Sequence, residues 1–480
     1  MRKYSIYIVA AAITGLGACQ KNLLDPVPTT NVPDFSAFET KERIAGESNG
    51  LYTVMKNGKF LGGKVIIANE VRGEDFVNEL TNNVTLNASW KMSTTGEAQE
   101  VKEIWSQGYM AINNANVFLA GMNALGNKVV GDSIGKIYAG DAKFVRGLTY
   151  MALAQLFTRP HWDAAGTKLG LVLRWEAITK LGSYGRARST VNETWAQIIR
   201  DLDSAEVLLP KNAKITGKGN AYSAVALKTR AYLYMEQYDK VIAEAGKIVS
   251  ATAPFNSPVG YKLEPSIATV FTPKYGGPEA VLSMPFTQSP GDFPGTQTQL
   301  GYYFSPSSAG GNGEYSLSAT GIIADAGWKA ADARRTFIVT AAGKSWLLKY
   351  PQPSPYLDYI PVIRYAEVLL NLAEAKVRVA NAVDPTAIAI LNAVRNRSDA
   401  STTFTAADFG TPAILIAAIQ KEKHIELLGE GFRAAEIIRQ GIPFPLKSST
   451  VPAVPPSVAG YIWPISSDEL VYNKLCVDNL

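Results

Sequence analysis

The chain is short of the residues that most chemistry needs. It has two cysteines and two histidines among 480 residues. Cys19 and Cys476 cannot build a disulfide framework, so stability has to come from the core. His161 and His424 are too few for a histidine-built metal site and make a Ser–His–Asp arrangement an unsuitable reading. No G-x-S-x-G, G-x-x-x-x-G-K-[ST] or strand-linked G-x-G-x-x-G occurs, which removes the nucleophile elbow, the phosphate loop and the dinucleotide fingerprint. Basic blocks are missing as well. The formal net charge of +5 includes Arg2 and Lys3, leaving +3 without them, and no run of five or six basic residues exists. A nucleic-acid partner is therefore not expected. Beyond the first 18 residues no segment is long and apolar enough to span a bilayer. The 42 acidic residues contain no pair that the sequence singles out for glycoside hydrolysis. The expectation is a binding protein without catalysis, cofactor or metal.

What is present begins with an export signal. Arg2 and Lys3 precede an uncharged, mostly apolar run from Tyr4 to Ala18, too short to cross a membrane. Leu16-Gly17-Ala18-Cys19 is a lipobox-like ending, so cleavage before Cys19 and lipidation of that residue are expected. Residues 19–35 then form a tether. With 47% hydrophobic residues, the rest can bury a large core.

Helical periodicity dominates two regions. Residues 36–250 read as helices over Ser36–Met55, Gln99–Met122, a helix capped by Asp132, one beginning at Ser189-Thr190-Val191, and the pair Ala221–Glu236 and Asp239–Val249. Residues 360–480 open with Pro361 at a first helical position, followed by apolar residues on two faces through Ala375. Arg364 and Glu367, and Glu374 and Arg378, would share its narrow polar edge. Asp384 and Pro385 start the next helix, and Thr411-Pro412 opens one long helix continuing through His424 to Arg439. Helices joined by short turns form the unit of tetratricopeptide-like (TPR-like) arrays. The fold class is mainly α, a TPR-like hairpin array with a loop-rich insertion.

Two stretches break this pattern. Residues 58–96 are irregular and polar, and 251–359 are interrupted by prolines and by Gly310-Gly-Asn-Gly313. The second is too aromatic for disorder and reads as an ordered, ligand-binding insertion. Sugar rings stack their C–H faces on Trp and Tyr, and their hydroxyls need amides, carboxylates and guanidinium groups. Arg72, Asp75, Asn78 and Trp90 in one stretch, and Tyr302, Tyr303 and Trp328 in the other, are the candidate ligand-binding residues.

Several segments in order along the chain carry a resemblance. They are Asn69-Glu-Val-Arg-Gly-Glu-Asp75, Trp105 to Asn116, Asp141 to Tyr150, Asp332-Ala-Arg334, Lys349-Tyr350, Ile360 to Ala375, Leu391 to Arg397, Ile419 to Arg439 and Tyr461 to Asn473. Together they resemble the SusD/RagB family, surface lipoproteins that capture nutrients for an outer-membrane transporter. Arg159-Pro-His-Trp162 departs from it, because the family often has a Gly-x-x-Pro turn there. The resemblance implies an outer-membrane protein, lipid-anchored and facing the exterior. It further implies an oligosaccharide ligand and a SusC-like TonB-dependent transporter as partner. Peptide binding on the same architecture and a surface glycoside hydrolase are the alternatives weighed.

Overall fold

Short polar side chains decide where five of the helices begin. In the computed structural model, which describes residues 36–272, 275–289 and 291–479, Thr40, Thr190, Asn220, Asp384 and Thr411 each accept a backbone N–H of the first turn that follows. Asp384 accepts from Ala387 at 2.7 Å with Pro385 as first residue, as its spacing predicts. The signal peptide, Cys19 and the tether lie outside the described residues.

The chain runs α1 (Lys41–Met55), α2 (Lys64–Val71), β1 (Phe76–Asn78), α3 (Gln99–Gly121), α4 (Asp132–Phe157), α5 (Val191–Leu208), α6 (Ala221–Tyr234) and α7 (Tyr238–Ala245). It continues through β2 (Ala280–Met284), β3 (Tyr315–Leu317), β4 (Ile338–Ala341), β5 (Lys344–Leu347) and β6 (Ile360–Arg364). It then returns to helix in α8 (Tyr365–Ala380), α9 (Pro385–Ser398), α10 (Pro412–Glu426) and α11 (Arg433–Gln440). Helix α4 packs on α3 and α5, α5 on α6, and α6 on α7, while α8 packs on α7, α9 and α10. The fold is mainly α and TPR-like. One hydrophobic cluster extends from Ile44 to Cys476 and takes in residues of every region. Strands β1, β3, β5 and β4 form a small antiparallel sheet in that order, and β2 pairs with β6.

Four expectations need correction. Pro361 does not start a helix: residues 360–364 are strand β6, with Pro361 opposite Ser283 of β2. A two-stranded ribbon leaves each strand an unpaired edge, where a proline sacrifices no ladder bond. Arg364 and Glu367 do not form a polar edge either, since both are buried. The stretch 58–96 contains a complete helix, α2, whose eight residues are all buried. The long helix expected from Thr411-Pro412 to Arg439 is two helices, broken at residues 427–432, where Gly429 and Gly431 have φ of 81° and 86°.

Buried charges join the loop-rich stretch to the last helices. Arg334, Lys349, Arg364, Arg395 and Arg397 meet Glu279, Asp332, Glu422, Glu426 and Glu430, every side chain at most 4% exposed. Arg364 donates to Glu430 at 2.8 Å and to Glu426 at 2.9 Å, and also pairs with Glu279. Burial alone would raise the Glu426 carboxyl, but Arg397, Arg364 and Arg334 outweigh it and hold it well below the usual range. Five cations against five carboxylates leave the cluster neutral, which makes such burial tolerable.

Candidate functional site

The acidic segment of the sequence resemblance turns out to be a clasp. Glu70, at the end of α2, accepts N–H bonds from Gly429 (3.1 Å), Gly431 (2.7 Å) and Phe432 (2.8 Å) in the turn between α10 and α11. Burial pushes its carboxyl up to about 7, against those bonds. Arg72 donates to the Tyr461 carbonyl at 2.7 Å and lies 4.7 Å over the Phe444 ring. Burial pulls its guanidinium down to about 9. Glu74 pairs with Arg433 at 2.9 Å. Asp75 accepts from Ile322 N at 2.7 Å and meets His424 Nε2 at 2.5 Å. Arg72 and Asp75 are each 1% exposed. They were expected on a loop surface, and the structure buries them because each satisfies a partner distant in sequence.

Glu74, Asp75 and His424 have ligand-type atoms within 4.8 Å of one another, the grouping that could most readily hold a metal among the described residues. Arg433 and His424 already engage its carboxylates, so the donor set is that of a compensated ion-pair cluster.

The aromatic candidates divide. Trp328 is 2% exposed, under the Arg335 guanidinium at 4.5 Å, and Tyr303 is fully buried, stacked on Tyr315 at 6.0 Å. Both are core rather than surface, again correcting the loop placement. Trp90 is half-buried, and its indole N–H donates to Phe76 O at 2.7 Å. Lys447 covers its ring at 5.5 Å and donates to its carbonyl. Tyr302 remains half-open. Its ring is wedged edge-to-face between Tyr303 (5.8 Å) and Tyr356 (6.0 Å), whose hydroxyls are engaged by Gln297 O and Gly310 O.

Asn78 and Tyr302 are brought to one ridge. Asn78 closes β1 opposite Tyr315 of β3, and its amide oxygen accepts from Asn87 at 2.6 Å. The ladder extends one bond further, Glu79 N to Glu314 O at 2.8 Å. The Glu79 carboxylate accepts from Ser316 Oγ at 2.5 Å and from Lys344, which is itself half-exposed at the start of β5. Asn312 N donates to the Tyr302 carbonyl at 2.9 Å, and its side chain binds Glu314, which also accepts from Thr85. Tyr302 is thus joined through Asn312 and Glu314 to the sheet edge that carries Asn78, Glu79 and Lys344. Glu79, Asn87, Asn312 and Lys344 were not foreseen. Gly310-Gly-Asn-Gly313 marks a turn that brings Asn312 to the tyrosine, but the pairing of 315–317 with 76–78 has no local signal.

Comparison with known proteins agrees with this architecture. A family model described as "Starch-binding associating with outer membrane" matches residues 23–233, and one described as "SusD family" matches residues 351–445. SusD-like protein P2 of Formosa agariphila is 26% identical over 461 residues, covering 83% of this chain and 82% of its own length. The crystal structure of a SusD superfamily protein from Bacteroides fragilis is 29% identical, with a TM-score of 0.81 over 92% of this chain and 99% of that one. A laminarin-binding SusD-like protein shares the fold, with a TM-score of 0.71 at 19% identity over 92% of this chain and 99% of that one.

Proposed function

The chain belongs to the SusD/RagB family of carbohydrate-binding proteins of the bacterial outer membrane surface, and from that premise we propose that it captures an oligosaccharide and hands it to a TonB-dependent outer-membrane transporter. The observation that carries the reading is the ridge around Tyr302. A stacking surface contributes roughly 0.5–1.5 kcal/mol beyond its buried area, by analogy with aromatic pairs. Glu79, Asn312 and Lys344 would supply the hydrogen-bond groups that orient hydroxyls. Of the seven residues that the sequence suggests, Tyr302 would touch ligand, while Asn78, with its amide oxygen on Asn87 and its nitrogen buried, would brace the edge behind it. Trp90 would border the ligand, Tyr303 would hold the ridge from within, and Arg72, Asp75 and Trp328 would serve the scaffold. Moderate affinity suits a protein that must release its cargo to a partner. The laminarin-binding relative makes a glucan a reasonable first probe.

Anchoring would be by lipid at Cys19, supported by Leu16-Gly-Ala-Cys19. Among the described residues no helix is long and apolar enough to cross a membrane. Two measurements test the proposal. An oligosaccharide array followed by calorimetry on the full chain should find a saccharide whose affinity drops several-fold in Tyr302→Ala. Cys19→Ala expressed without a transporter should leave the membrane fraction while remaining folded. Failure of every saccharide to bind, or turnover of the bound one that is lost with a single carboxylate, would overturn the binding reading.

A further inference from the structure

Arg159 and Trp162, from the segment Arg159-Pro-His-Trp162 where the sequence departs from the family pattern, line a cavity of about 490 Å³. That volume lies within the roughly 300–1,000 Å³ of small-molecule sites. Arg159, Trp162, Asp163, Lys168, Ser457 and Asn479 bring side chains to its wall. None of them belongs to the ridge around Tyr302, and none of the ridge residues lines this cavity.

Its groups are held before any ligand arrives. The Trp162 indole N–H donates to Ile438 O at 3.2 Å, just past the middle of α11. One edge of the ring rests on Gly441, where a Cβ would fall 2.9 Å from a ring carbon, so only glycine seats it there. Arg159 is fixed by three contacts. It donates to Asp163 Oδ2 at 2.6 Å and to Pro456 O at 2.7 Å, and its guanidinium lies 5.5 Å over the Tyr461 ring. Both amide N–H bonds of Asn479 go to the carbonyls of Phe157 and Trp463 at 2.7 Å, leaving its oxygen as the group to accept from a ligand. Lys168 is exposed and joins no ion pair among the described residues.

We infer that this cavity is a second saccharide subsite, separate from the ridge. A pyranose ring stacks its C–H face on Trp162. Its hydroxyls donate to the free Asp163 oxygen and the Asn479 carbonyl, and accept from Lys168 and the Ser457 hydroxyl. The inference rests on the saccharide-binding reading above and extends it from one contact to two, so that a long chain bound at both points dissociates more slowly than at either.

The full chain, purified in detergent, is screened against a printed array of neutral and acidic oligosaccharides, laminarin fragments included. The strongest binder in a short form, too small to bridge two sites, is then titrated by calorimetry. Wild type should take up two equivalents. Trp162→Ala should remove one and leave the other unchanged, Trp162→Phe should restore most of the loss, and Tyr302→Ala should weaken the complementary equivalent several-fold. Gly441→Ala, which tilts the indole without deleting it, should weaken the Trp162 equivalent at least several-fold. One equivalent in wild type, weakened in Tyr302→Ala and untouched in Trp162→Ala, overturns the second site and leaves the proposed function standing. Absence of binding to every sugar overturns both.

Discussion

Residues 69–75 and 76–87 are neighbours in sequence and opposite in fate. The first segment holds four charged side chains in seven positions, and the structure uses every one internally: Glu70, Arg72, Glu74 and Asp75 each grip a residue beyond position 320. The second segment contributes Asn78 and Glu79 to the edge of the small sheet, where Glu79 is partly exposed beside Lys344. Charge density in the sequence therefore points to the clasp, and the more modest residues to the ridge proposed for the ligand. The reason is energetic. A buried charge must find a matched partner or cost several kcal/mol, so it is positioned by the fold. A surface amide at a ridge can wait for whatever arrives.

The strongest way to break this contrast is to show that the buried charges are dispensable. Arg364→Ala removes the guanidinium that Glu279, Glu426 and Glu430 share, and stranding buried carboxylates costs about 3–5 kcal/mol. Urea unfolding should show that loss, with saccharide affinity of the folded fraction unchanged. Trp328→Ala belongs with it. The ring is buried beneath Arg335, so the expected cost is about 3–5 kcal/mol, and Trp328→Phe should regain part of it. A Trp328→Ala protein of normal stability but weakened sugar binding would put Trp328 back on the ligand surface.

The clasp also has a pH signature. Glu70 is raised from 4.5 to about 7 in the folded protein, so between those values the native state holds a proton that the unfolded chain has released. Its contribution to stability is therefore fully present below about 4.5 and is lost as pH rises through about 7, a change of about 3 kcal/mol at most. Glu426, Glu430 and Glu436 behave in the opposite sense. Burial would raise them, but their cationic partners hold them low, so their contribution is present above the ordinary carboxylate range and lost on acidification. Glu70→Gln cannot ionise. Thermal unfolding of this variant and wild type from pH 5 to pH 8 should show the difference moving steadily in favour of the variant. A constant offset would mean that Glu70 titrates like an exposed carboxyl.

Much of the scaffold was legible because its signals are local. Asp384-Pro385, Thr411-Pro412 and Ser189-Thr190-Val191 set three helix starts, and the apolar spacing of 366–375 set the packed faces of α8. Pro361 misled because proline suits a helix start and a ribbon edge equally, and only the pairing with Ser283 decides between them. Helix α2 went unread because a helix buried on all sides has no polar face to give it a period, and Lys64-Val-Ile-Ile is as good a strand as a helix. At the proposed site, Tyr302 stays half-open and Asn78 lies on the adjoining sheet edge. Arg72, Asp75, Tyr303 and Trp328 were drawn from the same residue types, but their burial depends on partners such as Tyr461, His424, Tyr315 and Arg335, and on contacts that no short window contains.

The finest version of the contrast lies between two consecutive residues. Tyr303 points inward, fully buried, stacked on Tyr315 with its hydroxyl on Gln297 O. Tyr302 faces the ridge with part of its ring open, steadied by Tyr303 and Tyr356. Tyr303→Ala should therefore cost about 3 kcal/mol or more of stability, as large-to-small core changes do. Any change in sugar binding should follow from the unfolded fraction alone. Tyr302→Ala keeps the core layer beneath it and should cost about 1 kcal/mol of stability. It removes the stacking surface, so saccharide affinity should fall by about 0.5–1.5 kcal/mol, roughly two- to tenfold. Tyr302→Phe keeps the ring and should bind within a factor of about two of wild type if stacking dominates over the hydroxyl. Calorimetry and thermal unfolding on the same four proteins separate the outcomes. If Tyr302→Ala lost stability like Tyr303→Ala and bound sugar normally once folded, the ridge would be one more packed edge and the ligand would have to be sought elsewhere on the molecule.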